Sequence, residues 1–268
     1  MREHTLDGRF APRESLSEGA LTRVLAATDA DGQAVVIKRL QRHLRRDEAC
    51  RAMLEHEGRL LAALDDPQLP RLLARGEDPD GPFLVLQRLP GQPLAVTRRE
   101  PEDAVAVTRG LLRVLGRVHL AAAEGVALHI VHRDVCPANV LVTAAGEVSL
   151  VDFGISTSAW RSDPDRGVMK GTRGYMAAEV ITGGAEVDAR ADLFAAGVIL
   201  TELLTGERLY DGPLPAVMEA VVEGPARGPR EKHPAVPERL DLVARRAMAR
   251  DPSARFASAE DFLAALAG

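Results

Sequence analysis

The stretch HRDVCPANVLVTAAGEVSLVDFGIS, from His132 to Ser156, constrains the fold more than any other part of this chain. VLV and VSLVDF are short apolar runs on either side of TAAGE, a Gly-containing connection, and this pattern predicts a β-hairpin. Asp134 and Asn139 precede the first strand, Asn139 five residues after Asp134, and Asp152 ends the second, eighteen residues after Asp134. Antiparallel pairing turns the chain back, so Asp152 should return beside the loop that carries Asp134. Any one of these side chains alone would read as a loop cap or turn former. A carboxylate, an amide and a second carboxylate in this order around a hairpin instead suggest a built site.

The hydrophobic pattern divides the rest of the chain. Residues 23–27, 34–40 and 81–87 read as strands, around one helical pattern from about 47 to 64 that stops at DDP. After LPGQP the periodicity becomes that of long helices, beginning with residues 101–123. The change marks a lobe boundary near residues 87–91, and 268 residues suffice for one large or two small cooperating lobes.

Composition narrows the function classes. With 46% apolar residues and a formal net charge of −5, the chain reads as a soluble globular protein, with no reason to expect nucleic acid or an anionic membrane as partner. LFAAGVIL is too short to span a bilayer and MREHTLDGRF lacks a signal-peptide core, so a cytoplasmic location is expected, with no membrane segment in this chain. Two cysteines, Cys50 and Cys136, fall short of a disulfide framework or a zinc cluster. Only Lys38, Lys170 and Lys232 are lysines among 34 basic residues, so each lysine kept carries extra information.

HRDVCPANVLV and VDFGIS resemble the catalytic and metal-binding loops of the protein kinases, bacterial Ser/Thr kinases in particular. The resemblance runs from about residue 10 to 266. It implies an α+β, two-lobed protein-kinase-like fold over 1–268: a small β-rich N-lobe with one helix at 10–88 and a larger, mainly helical C-lobe at 89–268. It also implies that Asp134 is the base and that Asn139 and Asp152 hold Mg2+. Lys38, ending AVVIK, would contact the ATP phosphates and pair with a glutamate. Glu57, nineteen residues on, is the better partner because Leu61 and Leu64 continue its stripe. The resemblance puts the phosphate-covering loop at SEGALTRV, with Gly19 central and Ser17 and Thr22 where the family usually has glycines. The adenine site would be built from Leu16, Val24, Val36, Leu86, Leu89 and Leu141, with the backbone of Gln87 and Leu89 bonding the base edge. Val36 replaces a smaller alanine and should tighten it. Neither Lys38 nor Asp152 is needed to fill the core, so replacing either is expected to leave the fold intact.

In the C-lobe, GTRGYMAAE at residues 171–179 resembles the peptide-seating segment, with Ala178 in place of the usual proline. The resemblance implies that Glu179 pairs with Arg255, that Asp192 anchors the catalytic loop, and that Arg133 receives a phosphate on an activation segment. That segment covers residues 156–169, with Ser156, Thr157, Ser158 and Ser162. Leu61, His132 and Phe153 would form a stacked series. Cys136 stands where Ser/Thr kinases usually carry a lysine, so one phosphate-facing cation is missing; the thiol itself reads as a buried small residue.

The implied function is a Ser/Thr protein kinase that transfers the γ-phosphoryl of Mg-ATP to a protein hydroxyl, its turnover lowered by the missing lysine. Self-association for autophosphorylation is compatible with it. One rival is a pseudokinase acting as a nucleotide-binding interaction module, suggested by the loop substitutions, Val36, Cys136 and Ala178. The other is a small-molecule kinase, which the peptide-seating segment argues against.

Overall fold

The computed structural model describes residues 9–161, 171–183, 187–223 and 227–267. The chain divides into a unit ending at Leu89 and a second starting at Pro90.

The first unit is an antiparallel five-stranded sheet in the order β1-β2-β3-β5-β4, with one long helix. The strands are β1 (Ala11–Glu18), β2 (Thr22–Thr28), β3 (Ala34–Leu40), β4 (Leu72–Asp78) and β5 (Gly81–Gln87). Side chains alternate across a strand, and the register pairs Ala27 with Val35 and Ile37 with Val85. One face therefore gathers Ala27, Val35, Ile37, Phe83 and Val85, with Phe10, into a buried core. The opposite face carries Val24, Val36, Lys38, Leu84 and Leu86.

Helix α1 (Glu48–Ala63) packs on β3, β4 and β5. It starts where the Asp47 carboxylate accepts the Cys50 N–H at 2.8 Å, a bond that also holds that carboxyl below its ordinary value. The close approach is made at Gly58, where a Cβ would stand 2.9 Å from the Leu84 side chain.

The second unit is mainly helical: α2 (Pro101–His119), α3 (Ala178–Thr182), α4 (Arg190–Thr205), α5 (Leu214–Val222), α6 (Glu238–Ala247) and α7 (Ala259–Ala267). From Ala191 to Thr205 every residue of α4 is buried, the carboxylates of Asp192 and Glu202 included, and α4 packs against α2 and α6. Short strands complete the unit: β6 (Gln92–Pro93), β7 (Ala122–Ala123), β8 (Val126–Ala127), β9 (Val140–Val142) and β10 (Val148–Leu150). A β-sheet unit followed by a helical one is the α+β organisation expected from the sequence.

The structure corrects the helix expected over residues 101–123, which ends at His119. Alanines 121–123 prolong a helical pattern without enforcing it, while Glu124 and Gly125 both take positive φ, 52° and 79°. That pair makes the two-residue turn of a hairpin joining β7 to β8. Among the described residues, no helix is long and apolar enough to cross a membrane.

Candidate active site

The hairpin forms as its sequence requires. Val142 pairs with Val148 and Val140 with Leu150. Thr143 and Glu147 close the turn, with Gly146 at φ 82°. Beyond the strands the Val151 N–H reaches the Asn139 carbonyl at 2.9 Å, so the residue before Asp152 is tied to the residue proposed as its companion. Asn139 Nδ2 donates to the Asp134 carbonyl and to Asp134 Oδ2, both at 2.9 Å. Its amide nitrogen is thereby committed to Asp134, which leaves the amide oxygen to face another ligand.

Two non-glycine residues here, Arg133 and Asp152, hold φ of 68° and 69°. Such φ values are uncommon outside glycine and persist where surrounding contacts fix them. For Arg133 those contacts come from α4. The buried Asp192 carboxylate accepts the His132 N–H at 2.9 Å on one oxygen and the Arg133 N–H at 2.8 Å on the other. His119 Nε2, at the last turn of α2, lies 2.8 Å from the same carboxylate and must be the donor, since a carboxylate has none. Burial by itself would raise the Asp192 carboxyl, but the His119 hydrogen bond and charge, with the His132 contacts, hold it below its ordinary value. Burial pushes the His132 imidazole down, against the charges of Asp192, Asp134 and Asp152. A neutral ring suits its contacts: Nδ1 accepts from the Asp134 N–H at 3.3 Å and Nε2 faces the Val151 carbonyl at 3.2 Å. Phe153 packs edge-on against it at 4.6 Å.

The other oxygen of Asp134 faces the segment GTRGYMAAE. Thr172 donates its N–H at 2.8 Å and its hydroxyl at 2.6 Å to Asp134 Oδ1, and the hydroxyl also lies 3.4 Å from Cys136 Sγ. The sequence reading marked the segment but not this contact. Cys136 is buried, and burial followed by the Asp134 charge pushes its thiol up to about 11. The side chain is therefore a neutral thiol where the family usually has a cation.

Further along the segment, Tyr175 donates its hydroxyl to Glu202 Oε2 at 2.5 Å, and Arg208 donates to the same hydroxyl. Glu179 and Arg255 form the expected ion pair, two-pronged at 2.7 Å and buried on both sides. Arg255 also donates to the carbonyls of Ala249, Arg190 and Arg250. Of the expected activation segment, Ser156 and Ser158 are buried, with the Ser156 hydroxyl bonded to the Phe153 carbonyl. Ser162 lies outside the described residues.

In the first unit, Lys38 Nζ contacts both Glu57 oxygens at 2.7 and 2.6 Å. Lys38 sits directly across the ladder from Leu84, the residue against which Gly58 packs, so the spacing of α1 on the sheet sets the pair. Both groups are nearly sealed, 3% and 1% exposed, which corrects the expectation that Lys38 can be removed without disturbing the core. Val24, Val36 and Leu86 share its sheet face. Leu16 is 43% exposed and lies where the β1 register shifts, whereas Leu89 is buried and Gln87 ends β5 exposed. Gly19 closes the β1–β2 turn through its N–H to the Thr22 carbonyl at 2.8 Å, without a positive φ. Leu61 is buried on α1, and Leu141 lies on β9 of the second unit.

Comparison with known proteins decides what this arrangement belongs to. Residues 10–264 match the protein kinase domain. The chain belongs to the protein kinase family. Among curated relatives of this kinase domain, the tyrosine-protein kinase MasK of Myxococcus xanthus is 34% identical over 97% of the chain and 42% of its own length. The probable serine/threonine-protein kinase SCO3848 of Streptomyces coelicolor is 31% identical over 96% of the chain and 39% of its own length. The serine/threonine-protein kinase PknD of Mycobacterium tuberculosis is 35% identical over 92% of the chain and 37% of its own length. The chain thus spans less than half the length of these relatives.

Membership implies ATP and a divalent metal, and the donor set fits the metal. Among the described residues, no three His, Cys, Asp or Glu side chains are grouped to enclose an ion. An amide oxygen and one carboxylate suit a hard cation that draws its other ligands from water and phosphate.

Proposed function

We propose that this chain is a kinase domain, with lobes at 10–88 and 89–268, that transfers the γ-phosphoryl of Mg-ATP to a serine or threonine hydroxyl of a protein. The observation that carries the proposal is the setting of Asp134. One of its oxygens is fixed by the Asn139 amide and the other accepts a hydroxyl at 2.6 Å, so the carboxylate is poised and reachable by an O–H donor. Asp134 then takes the proton of the substrate hydroxyl. Lys38, held by Glu57, neutralises the α- and β-phosphates, and Asn139 and Asp152 are the residues that would hold Mg2+. When bound, the metal supplies positive charge against the phosphate oxygens. Leu16, Gly19, Val24, Val36, Gln87, Leu89 and Leu141 are assigned to the nucleotide. The neutral Cys136 leaves positioning by Thr172 and charge from Lys38 to compensate for the absent lysine.

A protein substrate, reaction in the cytoplasm, where ATP is present, and self-association for autophosphorylation complete the proposal; two buried cysteines outside any disulfide suit a reducing compartment. Radiolabelled ATP with a generic basic protein, followed by phosphoamino-acid analysis, tests it. Label on Ser or Thr that disappears in Asp152→Asn is the expected result. Label on Tyr alone would overturn the acceptor assignment, and label equal to that of Asp152→Asn would overturn the enzyme.

A further inference from the structure

The segment that touches Asp134 carries one exposed arginine, Arg173, and meets a second, Arg208, at Tyr175. Thr172 bonds the Asp134 carboxylate, so a substrate hydroxyl approaching Asp134 must run alongside residues 172–175. Arg173 follows at once, exposed, its Nη1 donating to the Gly212 carbonyl at 3.2 Å. Successive Cα atoms are about 3.8 Å apart, so its guanidinium can reach substrate residues next to the accepting one.

The Tyr175 N–H turns back to the Thr172 carbonyl at 3.1 Å. Exposed Arg208 lies over the Tyr175 ring, 5.4 Å from its centroid. The nearby Glu202 could have drawn basic peptides. It is 2% exposed, and both its oxygens are filled, by the Tyr175 hydroxyl and by the Leu209 N–H at 3.0 Å. Glu207 is drawn off to Lys232 at 2.5 Å. Asp211 is exposed here too, turned to the Gly212 N–H at 2.9 Å. Among the described residues, neither Arg173 nor Arg208 has a carboxylate within ion-pair distance, an arrangement that leaves two planar forks for carboxylates of another chain.

We propose that the substrate site selects acidic peptides, with Arg173 and Arg208 binding carboxylates on residues flanking the accepting hydroxyl. The inference rests on the kinase assignment of Asp134 and names the substrate class for that same site.

Three peptides with one central Ser, flanked by Glu, by Ala or by Lys, provide the test, assayed for initial rate with Mg-ATP. The Glu peptide should exceed the Lys peptide roughly three- to tenfold in kcat/KM, mainly through KM, as one or two exposed ion pairs allow. Arg173→Glu combined with Arg208→Glu should reverse that order, and Arg173→Glu alone should show part of the effect. Arg113→Glu, an equal charge change on the exposed side of α2, should leave the order as it is. Equal rates for Glu and Lys peptides, or a preference that survives the double variant, would overturn the proposal. Fluorescence anisotropy of the labelled peptides on Asp152→Asn separates this failure from failure of the kinase assignment, because it requires no turnover. Tighter binding of the Glu peptide supports the arginine site even if nothing is phosphorylated, and equal binding sinks it.

Discussion

Thr172 gives both of its donors to a single atom, Oδ1 of Asp134, the backbone N–H at 2.8 Å and the hydroxyl at 2.6 Å. With Asn139 on the opposite oxygen, the carboxylate cannot rotate without breaking a charge-assisted bond. Thr172→Val keeps the shape and the N–H but removes the hydroxyl. Hydrogen bonds to charged groups contribute about 1.5–3 kcal/mol, so kcat should fall about 10- to 100-fold while the KM for ATP stays constant. Thr172→Ser should restore most of it. Unchanged kcat in Thr172→Val would show that the hydroxyl does not position Asp134.

Lys38→Met should cost stability as well as activity. It leaves the Glu57 carboxylate buried without its cation, and breaking a buried pair typically costs about 3–5 kcal/mol. Adding Glu57→Leu removes the stranded charge, so the double variant should regain much of the loss in urea unfolding yet remain inactive. A double variant no more stable than Lys38→Met would argue against the pair as the cause.

Asp152 calls for a substitution chosen by backbone conformation. At φ 69° an Asn is tolerated better than an Ala. Asp152→Asn should abolish transfer with the melting temperature nearly unchanged, and Asp152→Ala should also melt earlier, by about 1 kcal/mol of strain. Equal melting of the two variants would mean that the backbone there bears no such constraint.

Cys136 should resist alkylation at neutral pH, because its thiol is pushed up to about 11. An ordinary thiol ionises near pH 8.5–9. The folded state therefore keeps a proton that the unfolded state loses, and this contribution to stability is full below about pH 8.5 and declines as pH rises toward 11. Cys136→Ser should show a shallower decline over that window, with activity close to the parent. Rapid iodoacetamide labelling of the native chain near pH 7 would contradict the buried, neutral thiol.

Autophosphorylation should avoid Ser156 and Ser158, both buried, and Thr172, whose hydroxyl is held by Asp134, and be found instead on Thr157 or Ser162. Mass spectrometry after incubation with Mg-ATP locates it. Stoichiometric phosphate on Ser156 would require the bond from its hydroxyl to the Phe153 carbonyl to open.

What was legible in the sequence was mostly local. Alternation over β3 and β5 and the turn before Val148 fix strands from a few adjacent residues, and the nineteen-residue spacing of Lys38 and Glu57 follows from one strand leading into one helix. The end of α2 was misplaced because alanine fits helix and turn alike, and only the Glu124–Gly125 pair settles the matter. Thr172 on Asp134 and His119 on Asp192 join residues 38 and 73 positions apart, and no periodicity encodes them. The Glu179–Arg255 pair, 76 apart, was expected only through the family resemblance. The burial of Lys38 was missed because a strand-end lysine looks alike whether sealed or wet until the helix above it is placed.

The Asp192 carboxylate gathers its three partners from positions 73, 60 and 59 residues earlier in the chain. The consequence is one of timing. During synthesis the loop bearing Asp134 emerges from the ribosome long before α4 does, and until α4 docks the bonds from Asp192 that hold the His132 and Arg133 backbone are missing. A nascent chain stopped ahead of α4 would already own every residue assigned to phosphate transfer and still be unable to perform it, so competence should arrive in one step, late, and with the helix rather than with the loop.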